Sequence, residues 1–377
     1  MKQFLKTLTF RLTAMSPVFV GGGGVIGKKE YILPPSGKDV IIPDLHKMYN
    51  YLDSLGKSAA YEDFLLARGG RDSNSLFEFL RSIGVGPADY KKFTDYIISK
   101  GDVDRVSEIN TFVKDPYGYP FIPGSGLKGS LRTAFVGSFA AMSPEKYGDV
   151  RESMKREDGR NRNTYMQQPA ATLEEKIFAK LPFGSERGGR DNFPLKDIMR
   201  GLRIGDSKPL SAKDLVLCQK VDISLSGKEK PINTLRECLK PGTEILFPVT
   251  LDEGMFLNKE NKPYTAEEIM ETVSDFYRTY KKAFLNSFGA SRNYGNCLLY
   301  IGGGTGYATK TVVYPLFGEG GLQVTSDILK QTTLRNHDHG QDVDVGVSPR
   351  MKKCTRYANN IHEFGVCAFS IESGEHD

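Results

Sequence analysis

Residues Phe121–Ala134 read Phe-Ile-Pro-Gly-Ser-Gly-Leu-Lys-Gly-Ser-Leu-Arg-Thr-Ala. A short apolar run enters Pro123-Gly124, then a Ser/Gly loop, then an amphipathic helix. Leu127, Leu131, Ala134 and Phe135 share one face of that helix. Lys128 and Arg132, four residues apart, share another face near its start. Unused backbone N–H groups at a helix N-terminus attract anions, and two cations beside them add to the pull. Glycines let a sugar-phosphate chain come close where a Cβ would clash. The stretch fits a phosphate-bearing ligand. It also fits a tight turn with Ser125 as helix cap, the commoner use of such a loop. No Gly-Lys-Ser/Thr follows four spacer residues and the dinucleotide fingerprint is absent, so NTPase and dehydrogenase readings lose their support.

With 377 residues the chain has room for two domains and a substantial core. Its 39% hydrophobic and 26% charged residues suit a soluble globular protein, without an apolar run that could span a bilayer. Met1–Lys6 lacks a signal-peptide pattern, which makes the cytoplasm the expected location. Cys218, Cys238, Cys297, Cys354 and Cys367 are scattered, odd in number and free of Cys-x-x-Cys spacing. That pattern predicts reduced thiols and no structural zinc. A net charge of +5 permits an anionic partner without demanding one. The chain has 22 Phe, 18 Tyr and no Trp, so many rings could stack on bases, although most must be core.

The pattern predicts an α+β chain. Phe4, Leu8, Phe10, Leu12 and Ala14 alternate along a first strand that ends at Ser16-Pro17 and leads into Gly21–Gly24, where a close backbone approach is expected. Residues 44 to about 101 read as helical. Asp44 caps one helix, Ser75–Ile83 has helical spacing, and Pro87 starts a helix that ends before Gly101. A strand is expected at Ile109–Lys114, with a turn at Asp115–Gly118. Glu145–Gln168 mixes charges and reads as a loop, as do Arg68–Arg71 and Arg187–Arg190. Gly201–Asp206, Leu215–Ser224 and Ile245–Leu251 read as strands. Thr265 and Glu268 form a capping box before the stripe Ile269, Val273, Phe276, Tyr280, Phe284 and Phe288, which Gly289 ends. A short strand, Cys297–Ile301, then enters Gly302-Gly303-Gly304-Thr305-Gly306-Tyr307. Gly346–His362 carries Arg350, Lys352, Lys353 and Arg356 and no acid, the pattern of a solvated face or of a phosphate-tracking patch.

The segment 122–132 resembles the hallmark of the RAMP superfamily of CRISPR RNA-binding proteins. Pro17–Gly24 is similar to the opening of those proteins, Gly201–Ser207 to their Ile-x-Asp-Ser strand, and Gly302–Tyr307 to their C-terminal glycine-rich loop. In length the chain resembles the large RAMP subunit of type III-A (Csm) effectors, which caps the 3′ end of the guide RNA. The resemblance implies two ferredoxin-like (RRM-like) modules. The first would cover residues 1–145, with a helical insertion at about 44–101. A mixed-charge connection would cover 146–196, and the second module, with a C-terminal extension, 197–377. It also implies non-catalytic binding of CRISPR RNA, sister RAMP subunits as partners, host nucleases that trim the guide 3′ end, and no cofactor or metal. Gly22, Gly23, Ser125, Gly126, Lys128 and Arg132 would line the RNA path, joined by Gly303, Gly304 and Lys310, with Arg292 and Asn293 as weaker candidates.

Two catalytic alternatives stand beside this reading. Some RAMP relatives process CRISPR transcripts without metal, which needs a His near the 2′-hydroxyl; His46 is the candidate in the first half, against the bland alternative of a solvent-facing helical His. His337-Asp338-His339 with Asp342 and Asp344 outlines a metal-dependent nuclease, although ligands in one short loop are better explained by loop polarity. Within the family, a target-cutting backbone subunit using a loop Asp is the remaining alternative.

Overall fold

The computed structural model describes residues 4–35, 37–67, 75–155, 166–180, 193–289, 292–332 and 338–373. Thirteen strands and twelve helices organise them. The strands are β1 (Leu5–Ala14), β2 (Gly21–Ile26), β3 (Asp39–Pro43), β4 (Thr94–Ser99), β5 (Ile109–Phe112), β6 (Leu202–Ile204), β7 (Leu215–Ser224), β8 (Glu229–Leu239), β9 (Glu244–Asp252), β10 (Leu298–Tyr300), β11 (Met351–Tyr357), β12 (Asn360–Glu363) and β13 (Val366–Ser373). The helices are α1 (Leu45–Ser54), α2 (Ser58–Leu66), α3 (Leu76–Ser82), α4 (Pro87–Tyr90), α5 (Gly124–Met142), α6 (Gly148–Lys155), α7 (Gln167–Phe178), α8 (Phe193–Lys196), α9 (Ala266–Ala283), α10 (Val313–Phe317), α11 (Gly321–Thr332) and α12 (Asp342–Val345).

The period of two in β1 is what the sequence dictates. Leu8, Phe10, Leu12 and Ala14 are buried, and Arg11 between them pairs with Glu244 and Glu372 at the surface. β1 lies inside a five-stranded sheet of order β10-β13-β1-β9-β6, every neighbouring pair antiparallel. Along the chain, β1-α5-β6-β9-α9-β13 follows the β-α-β-β-α-β succession, and its four strands stand in the order fourth, first, third, second. That is a ferredoxin-like module, with β10 added at the edge and α5 and α9 packed together over the sheet. Its parts come from both sides of the 146–196 segment. The second sheet, of order β12-β11-β7-β8-β5-β2 with β4 joined to β7 and β3 to β4, also mixes early and late strands.

α9 is built as its sequence reads. The Thr265 side chain accepts from Glu268 N, and Glu268 Oε2 accepts from Thr265 N. Ile269, Val273, Phe276 and Tyr280 are buried, and each such side chain contributes about 1.5–3 kcal/mol on transfer from water. The helix gives way at Phe284 to a 3-10 turn, Leu285–Phe288, which Gly289 closes at φ 71°.

The block after β3 has its own core of Met48, Leu52, Tyr61, Phe64, Leu76, Phe79, Leu80, Tyr90 and Phe93. Asp44 caps α1 through Lys47 N, and Ser75 with Glu78 boxes α3. The helix expected from Pro87 stops after one turn. Residues 94–99 are instead the strand β4, antiparallel to β3 and touching β7 in parallel. Long-range pairing overrides the local helical start. Within the expected loop over 145–168, the described residues are helical: a 3-10 turn at Pro144–Tyr147 runs into α6, and α7 begins at Gln167. Residues 156–165, Arg68–Arg71 and Arg187–Arg190 lie outside the described residues. Among the described residues no helix is long and apolar enough to cross a membrane.

Candidate nucleic-acid interface

Four segments separated widely in sequence meet around the start of α5. The turn Pro120–Pro123 runs beside β6: Ile122 N donates to Ser207 Oγ at 2.9 Å, and Ser207 N donates to Ile122 O at 3.0 Å. Gly124 packs so closely that a Cβ there would stand 2.4 Å from the carbonyl oxygens of Ile204 and Gly205. On the other side, Phe19 bridges to Gly302, and Gly303 N donates to Phe19 O at 2.7 Å. A Cβ on Gly302, whose φ is +81°, would lie 1.9 Å from Phe19 O, so the approach requires glycine. The Pro17–Val20 turn, the helix start, the Ile204–Ser207 strand end and the Gly302–Gly306 loop are thus one construction.

Between α5 and the Gly302–Lys310 loop lies a cleft of about 370 Å³. Its helical wall is Ser125, Gly126, Gly129, Ser130 and Thr133; its facing wall includes Gly302, Gly303, Thr309 and Lys310. Phe276, Tyr277 and Tyr280 of α9 and Leu298, Leu299 and Tyr300 of β10, all buried, form its floor. Lys310 Nζ donates to Gly302 O at 2.6 Å, and burial pushes its pKa below the ordinary lysine range. Behind the lining, Tyr300 Oη donates to the buried Glu363 Oε2 at 2.5 Å, and burial raises the Glu363 carboxyl above its usual pKa. The cleft combines glycine backbone, hydroxyls and one cation above a buried floor of aromatic and leucine side chains, which suits the backbone of a phosphodiester strand better than a small charged metabolite.

Ser125, Gly126, Gly303 and Lys310 of the expected residues line this cleft. Lys128 and Arg132 do not. At three and seven residues past Ser125 they turn to a neighbouring face. Arg132 binds Glu174 at 2.6 Å and Asp197 at 2.7 Å and lies over the Phe178 ring. Lys128 is half-buried beside them; burial lowers its pKa, Asp197 opposes that shift, and Arg132 and Arg203 add to it. Ser125 is not the helix cap. Pro123 holds that position, and Asp206 Oδ1 accepts from Gly124 N at 2.8 Å. A carboxylate therefore already stands at the helix N-terminus where a phosphate was expected.

Gly22 and Gly23 are exposed on β2 at the end of the second sheet and do not form part of the cleft. Gly304 faces away from it, against Arg236. Arg292 bonds His362, whose pKa is lowered first by burial and then by Arg292, while Asn293 Oδ1 accepts from Gly295 N. Gly129 and Thr133 escaped the sequence reading, although Ser125-Gly129-Thr133 is a visible stripe of small residues at helical spacing. The tyrosines gave no local signal, since they come from elements 150 residues downstream in the chain.

His46 is exposed on α1, next to Asn50 at 3.2 Å, and lines none of the cleft. His337 lies outside the described residues. Asp342 is buried, accepts from Ser348 Oγ at 2.6 Å and meets His339 Nδ1 at 2.8 Å and Arg350 Nε at 2.9 Å, while Asp344 is exposed. Among the described residues no three metal-ligating side chains stand together.

Comparison with known proteins converges on one family. The RAMP superfamily model matches residues 11–307. The CRISPR system Cms protein Csm5 of Mycobacterium tuberculosis is 26% identical over the full length of both chains. That of Streptococcus thermophilus is 28% identical over 83% of this chain and 82% of its own. A chain of a cryo-EM structure of a type III-A Csm–crRNA–target RNA ternary complex superposes with a TM-score of 0.66 at 20% identity, covering 96% of this chain and all of the other. The crystal structure of T. onnurineus Csm5 gives 0.59 at 20% identity, covering 95% and 99%.

Proposed function

The chain belongs to the RAMP superfamily, and from that premise we propose that it is a CRISPR RNA-binding subunit of a type III-A (Csm) effector complex, holding the 3′ region of the guide. The observation that carries this reading is the cleft between α5 and the Gly302–Lys310 loop, whose helical wall is Ser125, Gly126, Gly129, Ser130 and Thr133 and whose two sides are fastened from outside by the Ile204–Ser207 strand end and by Phe19. Helical glycines beside open space cost stability and gain nothing from packing, which is understandable if a ligand backbone fills that space. The full-length relationship to Csm5 proteins supports the choice of subunit. Its partners are then the guide RNA, sister RAMP subunits of the complex, and nucleases that trim the guide's 3′ end. The role is binding and sheltering of RNA. Lys310 and the small residues of the helical wall contact the strand, and Arg132 holds the helix that presents it.

The test is isolation of the protein from its native cells with sequencing of the RNA that accompanies it. Repeat–spacer guides should be enriched, and their 3′ ends should change when the protein is deleted. RNA without such guides would overturn the assignment.

A further inference from the structure

The Gly302–Gly306 loop has a second side. A Cβ on Gly304 would come within 3.0 Å of Arg236 Nη1, and one on Gly306 within 2.8 Å of Lys353 Cγ. The loop therefore divides the cleft from a patch on the second sheet. Across that sheet, Lys353 of β11 stands opposite Asp222 of β7, and Asp222 opposite Lys230 of β8. Lys220 lies two residues along β7, on the same face as Asp222. Lys353 Nζ is 2.8 Å and Lys220 Nζ 3.7 Å from Asp222, so one carboxylate serves both lysines. Lys230 and Arg236 have no ion pair among the described residues. Arg236 lies 5.1 Å from the Phe19 ring centroid and 5.5 Å from that of Phe364, and its Nη1 is buried without a hydrogen-bond partner. Burial, and then Lys353, push the Lys220 pKa down, and Asp222 opposes the shift. Beside these residues opens a groove of about 860 Å³ whose charged lining is Lys220, Lys230, Lys353 and Arg350 with Asp222 and Asp338; Arg350 is already paired with Asp342 and lies 3.8 Å from Asp338.

We propose that this groove is a second phosphodiester site, which takes the RNA strand after it crosses the glycine-rich loop from the cleft, with Lys220, Lys230 and Lys353 on its phosphates. The inference rests on the RNA-binding reading above and extends it to residues that reading does not use. Adjacent strands stand about 4.8 Å apart, so Lys353 and Lys230, on the strands either side of β7, present a row of charge that can follow a sugar-phosphate backbone without reading its bases.

The test uses the full chain and oligo-uridine RNAs of about 4 and about 16 nucleotides, lengths that bracket a single-stranded binding site. Lys220→Ala/Lys230→Ala/Lys353→Ala should weaken the long RNA about tenfold, lower its salt slope by about 2 and leave the short RNA unchanged. If the triple variant fails to fold, Lys230→Ala alone, at an exposed position, should lower the slope by about 0.7. Thiouridine-labelled long RNA should crosslink to the 220–232 and 349–353 peptides as well as to 125–133. Crosslinks and affinity confined to the cleft would overturn the groove and leave the proposed function standing. Failure of the unaltered chain to bind either RNA would overturn both. Unchanged RNA affinity with loss of sister subunits would identify the groove as an acidic-protein site and also overturn the proposal.

Discussion

Gly126 and Gly129 stand in the first turns of α5 and, beyond the helix's own backbone and their chain neighbours, have no heavy atom within 4 Å of where a Cβ would sit. Each costs the helix about 1 kcal/mol relative to alanine. Gly129→Ala should therefore raise the melting temperature while lowering affinity for RNA, measured by thermal unfolding and fluorescence anisotropy on the same sample. Tighter binding would show that the strand does not touch this wall. Glu363 makes a different prediction. Its pKa is raised from 4.5 by burial, with the Tyr300 bond opposing the shift. A folded-state pKa above the unfolded one favours the protonated form, so its stabilising contribution is complete below pH 4.5 and is lost as pH rises through the folded value. Glu363→Gln should flatten that part of the melting-temperature profile, and an unchanged profile would refute the assignment. At this scale the sequence was half legible. Ser125 and Gly126 could be placed from their neighbours, but the direction of Lys128 and Arg132 depended on where Glu174 and Asp197 would arrive.

Arg132 joins α5 to α7 and to the turn that begins at Asp197. Arg132→Ala leaves two carboxylates without this cation and should cost about 2 kcal/mol, read as a lower denaturation midpoint. Lys128→Ala should leave that midpoint almost unchanged. Equal losses from both would contradict the division of labour between them. The helices that could be read in advance carry their own signals: Asp44 before α1, Ser75 with Glu78 in α3, Thr265 with Glu268 in α9. β4 had none. Pro87 announces a helix, but nothing nearby says that it ends at Tyr90, because Thr94–Ser99 becomes a strand only when β3 and β7 are beside it. β13 likewise takes its place between two strands from earlier in the chain, β1 and β10.

At the scale of the molecule, β1 lies between β9 and β13, and both sheets draw on both halves of the chain. Separate fragments covering 1–145 and 197–377 should each fail to give a cooperative melt, whereas the full chain should give a single transition. Two independently melting fragments would restore a boundary near 146–196. The motifs were legible because each is local; their convergence was not, since it is made by pairing across the sheets. Ser16 Oγ accepts from Val366 N across 350 residues, and Phe19 is fastened to Gly302 and Gly303. During synthesis, then, β1 leaves the ribosome with both edges open and waits while some 350 further residues are made before its second neighbour, β13, exists. A chain that stalls before β13 would present a sticky, half-built sheet to the cell. Guide loading belongs after translation, which couples the supply of binding-competent subunit to completed chains.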